Sequence, residues 1–196
     1  GRHKSTLEAF SKSVTLVTFE CSKVAVLVAR FKSIFLSTPE LATLCCSPRI
    51  KSEICRSINN FEPDLVWIQF PQMAQYVEIC GNTPCIMDVQ DAYTISGFRQ
   101  AQRQRGVGKV RALLDWVCWA RYEAKHYPRF SVVLTLSEQD ATVLHAMNSG
   151  SRTLSMGLPL AEAMSDVRKP IPMQVGFAGA FGHRPNIEGL GWFLTE

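Results

Sequence analysis

Between Phe61 and Phe98 the apolar positions fall in two short unbroken runs, Leu65-Val66-Trp67-Ile68 and Cys85-Ile86-Met87. A turn signal precedes each run, Glu-Pro-Asp at 62–64 and Gly-Asn-Thr-Pro at 81–84. Polar residues end each run, Gln69 after the first and the Asp88-Val89-Gln90-Asp91 stretch after the second. Gln72 to Cys80, between them, reads as a short helix. Strand, helix, strand is a βαβ unit, and strands that are apolar throughout suit a parallel sheet buried on both faces. Ligands of such sheets gather beyond the carboxyl ends of the strands. The pattern therefore points to Gln69-Phe70 and to Asp88 through Asp91.

The same reading extends along the chain. Gly1 to Ser13 resembles the tail of a helix, with Leu7 and Phe10 on one face. Val14 to Phe19 is β-branched and apolar and predicts a strand, and Val24 to Ala29 has strand length. Phe31 to Pro48 is apolar but interrupted by Pro39. Ile50 to Asn59 carries Ile54 and Ile58 at helical spacing and predicts a helix that stops at Asn59-Asn60. Ala92 to Gly108 is polar. Val110 to Tyr127 is the clearest helix, with Val110, Leu113, Leu114, Val117, Arg121 and Ala124 on one face and Pro128 as its stop. Trp116 and Trp119 widen that face. Ser131 to Leu136 predicts a strand, and Ser137 caps the helix after it, with Glu138 and Asp140 in the first turn. Arg152 to Met156 predicts a short strand. Proline-rich, aperiodic sequence follows, and then a strand at Val175 to Ala178, a glycine-bearing turn and a helix from Asn186. The expected fold is α/β: a Rossmann-like parallel sheet with helices on both faces over residues 1–157, a linker over 158–174, and the first strand and helix of a second Rossmann-like domain over 175–196.

Composition refines this picture only a little. The chain has 196 residues, 46% of them hydrophobic, which suits one α/β domain and part of another. A net charge of +4 is compatible with phosphates or an anionic membrane surface and demands neither. Seven cysteines, an odd count, and a polar start without an apolar h-region lead to the expectation of a reduced, cytoplasmic setting. No stretch reaches the roughly 18 apolar residues of a membrane span. The arginines from 99 to 111 lack interleaved aromatics, so nucleic acid is not the expected partner.

The candidate chemistry sits at strand ends. Asp88 and Asp91 could bind sugar hydroxyls, act as base or hold a metal; equally, Asp91 could cap a turn and Asp88 be held by hydrogen bonds. Ser137-Glu138 has the same two readings. The run from Gly176 to Gly182 leads from the expected strand toward a helix, where glycine N–H groups and the helix N-terminus can receive a phosphate. Its spacing is not G-x-G-x-x-G, so a tight strand–helix turn is the plain alternative. Gly106-Val107-Gly108-Lys109 is no P-loop, because Val110 stands where Ser or Thr is needed. His3, His126, His145 and His183 show no metal-ligand spacing. Cys80 and Cys85 flank a turn and could meet, although buried inert thiols are the simpler expectation.

Four stretches, FEPDLVWIQFPQMAQYV, PCIMDVQDAYT, LLDWVCWARYEAKHYPRFSVVLTLSEQDATVL and VGFAGAFGHRPNIEGLGWFL, resemble the GT-B-fold glycosyltransferases of the large group 1 family. The resemblance covers roughly Phe61 to Glu196, and its most specific parts are Ser137-Glu138 after a strand and Arg184-Pro185-Asn186 after Phe-x-Gly. It implies two Rossmann-like domains with acceptor bound by the first and nucleotide sugar by the second. Asp88 and Asp91 would then be the catalytic candidates, and Gln90, Ser137 and Glu138 would line the acceptor side. Gly179, Gly182, Arg184 and Asn186 would meet the donor diphosphate.

The resemblance also implies a nucleotide-sugar substrate, no metal cofactor, and a glycan, lipid-linked or small-molecule acceptor. The expected location is the cytoplasm, with room for peripheral association at the inner face of a membrane. Some positions depart from the family. Gln90 stands where His is common, and Ser155-Met156-Gly157-Leu158-Pro159 replaces a Pro-Asn-Gly-Val-Asp run. The first strand with its glycine-rich loop and the later pair of glutamates are not in this sequence. A fragment that does not transfer sugar alone is the expectation. The alternative is a non-catalytic binding or scaffold protein derived from that fold; an epimerase-like phosphate binder would need an N-terminal glycine fingerprint that this sequence lacks.

Overall fold

The computed structural model describes residues 8–18, 22–36, 38–148, 150–157, 172–182 and 184–195. At its centre a four-stranded parallel sheet runs in sequence order: β1 (Val66–Gln69), β2 (Cys85–Val89), β3 (Val132–Thr135) and β4 (Thr153–Ser155). The register aligns Gln69 with Asp88, Asp88 with Leu134, and Thr135 with Ser155, so all the carboxyl ends share one rim. β1 and β2 lie at the two apolar runs between turn signals, and β3 and β4 lie within the strands predicted over 131–136 and 152–156. Met87, Val89, Val133 and Leu144 are buried at the sheet, together with Trp119 and Tyr127. Each such side chain stabilises the fold by roughly 1.5–3 kcal/mol.

The crossovers differ in kind. β1 leads to β2 through a 3₁₀ helix, Pro71–Ile79, in place of the expected short α-helix, with Pro71 in its first turn. From β2 the chain passes through two antiparallel-packed segments of helix, α4 (Tyr93–Arg103) and α5 (Gly106–His126), and a 3₁₀ turn at Tyr127–Arg129. α4 fills the polar stretch that the sequence pattern left without an element. From β3 it passes through α6 (Glu138–Met147). Before β1 lie α1 (Lys23–Leu36), α2 (Glu40–Leu44) and α3 (Pro48–Phe61).

Several expectations are corrected. Val24 to Ala29 is helix α1, not strand: the Ser22 hydroxyl accepts the Ala25 N–H at 3.1 Å and caps the helix start. Val14 to Thr18 has no regular structure; a β-branched segment becomes a strand only when a neighbour supplies its hydrogen bonds. α3 runs past Asn59-Asn60 to Phe61 and ends at Glu62, which adopts a left-handed conformation, φ 42°, ahead of Pro63. A residue before proline is disfavoured from the helical region, so Pro63 rather than the asparagines sets the stop.

The face of α5 is also reassigned. Its buried residues are Cys118, Trp119, Tyr122, Glu123 and His126, whereas Val110, Leu114, Arg121 and Ala124 are exposed. Trp119 stacks on Tyr93 at 4.1 Å and meets Tyr122 edge-on at 5.6 Å. Aromatic rings remove more apolar area than the aliphatic stripe, and they draw their own face inward.

The chain separates into two compact units, Gly1–Leu158 and Pro159–Glu196. In the second, the described residues 174–180 form no strand, contrary to expectation, and a helix α7 (Arg184–Thr195) follows. No second strand is present there among the described residues to pair with Val175 to Ala178. The expected linker at 158–174 lies mostly outside the described residues, as do His3, His183 and most of the Gly1 to Ser13 segment.

Candidate functional site

The rim formed by the strand ends collects the first-unit candidates. Asp88 is the penultimate residue of β2 and is buried, 8% exposed; Val89 behind it is core, Gln90 is half-buried and Asp91 is exposed. Among the described residues no side chain or backbone group is hydrogen-bonded to the carboxylates of Asp88 or Asp91. On the neighbouring strand, β3 ends at Thr135, and Ser137 and Glu138 open α6. Ser137 accepts the Asp140 N–H at 3.1 Å, and the Thr135 hydroxyl donates to the Ser137 carbonyl at 2.9 Å. Ser137 therefore serves as the cap of α6, and Glu138 beside it is exposed. Arg99 of α4 reaches Gln139 of α6 at 3.4 Å, which ties together the helices that follow the two rim loops.

β1 contributes the most constrained backbone of the rim. Phe70 has φ 71° and ψ 132°, a conformation strained for any residue with a Cβ. Its N–H donates to the Asp88 carbonyl at 3.1 Å, and its own carbonyl accepts the Met73 N–H at 3.0 Å. The strained residue thus joins the ends of β1 and β2 and leaves its ring half-exposed at the rim.

Sequence reasoning missed one residue of consequence, Glu123. It is fully buried on α5, and its carboxylate accepts the Tyr93 N–H at 2.9 Å and the Thr94 N–H at 3.2 Å. The Thr94 hydroxyl donates to it as well, and the Tyr127 hydroxyl lies at 3.3 Å. α4 has no side-chain cap of its own, so a carboxylate thirty positions away does the capping and holds the loop next to Asp91. Trp116 adds a second clasp, its indole N–H donating to the Thr94 carbonyl at 2.8 Å. Burial pushes the Glu123 carboxyl above its ordinary pKa, against its hydrogen bonds, which pull it down. Burial and then the charge of Asp91 raise the Tyr93 phenol. The one signal in the sequence is an acid inside the aromatic stripe Trp119, Tyr122, His126, at a spacing of four from Trp119.

In the second unit, Gly179 and Asn186 are brought together. A Cβ on Gly179 would stand 2.8 Å from the Phe177 ring and 2.9 Å from Asn186 Nδ2, so only glycine fits without a shift. Asn186 Nδ2 donates to the Ala180 carbonyl at 3.1 Å and folds the turn back on α7. Gly182 has open space around it. Arg184 opens α7, and its side chain lies outside the described residues.

The Cys80 thiol donates to the Tyr76 carbonyl at 3.7 Å and the Cys85 thiol to the Thr83 carbonyl at 3.3 Å, and both are free thiols. Both are buried, and burial, reinforced by Cys85, pushes Cys80 up to about 12. Among the described residues no group of three or more His, Cys, Asp or Glu side chains is placed to hold a metal ion. No helix among them is long and apolar enough to cross a membrane. Comparison with protein-family models, with curated proteins and with solved structures finds no match to this chain.

Proposed function

We propose that the chain is the acceptor-side domain, with the opening of the donor-side domain, of a glycosyltransferase that uses a nucleotide sugar. The observation that carries this reading is the shared rim of the adjacent parallel strands β2 and β3, which brings Asp88 to Asp91 and Ser137-Glu138 to one edge of the sheet. Asp91, exposed and without a protein hydrogen-bond partner among the described residues, is the group suited to accept a hydrogen bond or proton from an acceptor hydroxyl. Asp88, buried at the end of β2, and half-buried Gln90 precede it on the same strand end. On the donor side, the N–H groups from Gly179 to Gly182 and the N-terminus of α7 are suited to a diphosphate, with Arg184 as its charge partner. The acceptor is a glycan, a lipid-linked sugar or a small hydroxylated molecule.

The test is transfer of labelled sugar from a panel of nucleoside diphosphosugars by the protein encoded by the full reading frame that contains this chain. Asp91→Asn is expected to lower turnover about a hundredfold with little change in melting temperature. Loss of both in parallel would make Asp91 structural, and transfer from none of the donors would refute the reading. By titration calorimetry the 196-residue chain alone should bind such sugars more weakly than micromolar.

One observation favours a non-catalytic binding protein on the same fold: Ser137 is engaged as a helix cap and is held structurally, and Asp88 is largely buried. Under that reading Asp91→Asn weakens ligand binding and there is no turnover to lose.

A further inference from the structure

Helix α5 turns two rows of side chains toward a cavity of about 850 Å³ bordered also by α3 and by the 3₁₀ helix over Pro71–Ile79. Arg121 and Lys125 form one row, Tyr122 and His126 the other, and each pair stands four residues apart, on one face of the helix. The first pair is exposed and the second buried. Lys51 of α3, also exposed, adds a third cation to the cavity. Ile79 and His126 line it and lead through short turns into β2 and β3, so it lies toward the amino ends of the strands. Asp88, Asp91, Ser137 and Glu138, on the carboxyl rim, do not line it.

Two features of its wall have no use within the fold itself. His126 is 5% exposed and its Nδ1 has no hydrogen-bond partner, although buried nitrogens are normally bonded. The phenols of the same wall are engaged: Tyr122 accepts the Gln75 N–H at 3.0 Å and donates to the Gln72 carbonyl at 3.1 Å, and Tyr76 donates to the Cys45 carbonyl at 2.7 Å. The His126 ring packs against Tyr122 at 4.5 Å. The second feature is the charge. Arg121 and Lys125 are like charges at a spacing where they repel. The dipole of α5 favours Lys125 in its last turn, but not Arg121 a turn earlier, and Lys51 stands near the positive end of α3, where a cation is disfavoured. Among the described residues Glu78 is the one acid that lines the cavity, and it is ion-paired with Arg129.

We propose that this cavity binds a small phosphate ester, its phosphate held by Lys51, Arg121 and Lys125 and its organic part lying on Tyr122 and His126. A phosphate dianion relieves the repulsion among three cations and gives each a charge-assisted hydrogen bond. The volume suits a small molecule, and the buried aromatic wall suits an organic group beyond the anion. The site is separate from the carboxyl rim and does not depend on the transfer reading, since binding is measured without catalysis.

The experiment is titration calorimetry of the 196-residue chain with phenyl phosphate, inorganic phosphate and phenol. Phenyl phosphate is expected to bind at least about tenfold more tightly than either part alone. Lys51→Gln and Arg121→Gln, exposed changes on two different helices, should each weaken it about fivefold, while Lys109→Gln, on α5 but outside the cavity, should not. In NMR spectra the ring signals of His126 should move with phenyl phosphate and those of His145, outside the cavity, should stay. Absence of binding at millimolar phenyl phosphate overturns the proposal. So does binding that all three variants weaken alike, which would mean attraction to the net charge of the chain, and so does phenol bound as tightly as phenyl phosphate, which would make the cavity an apolar site.

Discussion

Replacing Glu123 by alanine tests whether the rim loop is held by its buried carboxylate. The change leaves the N–H groups of Tyr93 and Thr94 and the hydroxyl of Tyr127 without their acceptor; the Thr94 hydroxyl can turn elsewhere. Three fixed donors at roughly 1–1.5 kcal/mol each amount to about 4 kcal/mol. Relief from burying a carboxylate returns roughly 1 kcal/mol, which leaves a net loss of ~3 kcal/mol. Against the 5–15 kcal/mol typical of a domain this is a large fraction.

Glu123→Gln is the control. Its amide oxygen still accepts from Tyr93, while its NH₂ faces the Thr94 N–H, so it should cost only about 1 kcal/mol. The pH dependence has a definite sign. A carboxyl raised above its unfolded value holds its proton better in the folded state, so its contribution is fully present below pH 4.5 and is lost as pH rises through the raised value. The advantage of the parent over Glu123→Gln should therefore shrink as pH rises from 4.5. Urea unfolding followed by fluorescence of Trp119, stacked on Tyr93, gives the free energies. Hydrogen exchange at the Tyr93 and Thr94 amides gives the local effect. An alanine variant within about 1 kcal/mol of the parent, with both amides still protected, would refute the clasp.

Three further outcomes are expected. His126 is buried and held down to about 4 by burial and by Lys125, so as pH falls from 6.5 toward 4 the unfolded chain takes up a proton that the folded chain refuses; stability should decline by on the order of 3 kcal/mol across that window, and His126→Phe should remove that slope in urea titrations. Gly179→Ala should displace Asn186 from the Ala180 carbonyl at a cost of about 1 kcal/mol to the second unit, visible as a shift of the Asn186 side-chain amide resonance. An alkylating reagent should modify exposed Cys46 in the native protein and reach Cys80 and Cys85 only on unfolding, and rapid native modification of Cys80 would contradict its raised pKa.

The strands of the sheet were legible because a parallel strand buried on both faces writes itself as an apolar run between turn signals. Leu65 to Ile68 became β1 and Cys85 to Met87 became β2, each displaced by no more than a residue or two. Val14 to Thr18, Val24 to Ala29 and Val175 to Ala178 have comparable composition and are not strands. Strand formation is a relation between segments, and β-branched composition states only a willingness to pair. Among the candidate site residues, the strand-end positions of Asp88, Asp91 and Ser137 followed from the βαβ pattern. Glu123 did not, because its role depends on which face of α5 turns inward, and the aliphatic spacing of Val110, Leu114 and Val117 concealed the aromatic face that does so.

The brevity of the sheet's borders has a consequence for how the protein behaves in a crowded solution. In a parallel pair alternate residues of a strand turn their backbone groups to the same side, so with Val66 and Phe70 bonded toward β2, Trp67 and Gln69 turn theirs outward. β1 thus offers an incoming strand only those two residues, and β4, at three residues, offers no more. Although Trp67 is half-exposed beside it, such a border is too short a template for stacked growth. What limits fibre formation in this sheet is the length of its edges, and a change that lengthened β1 past Phe70, by relaxing the strained turn there, would remove that limit before it altered any buried contact.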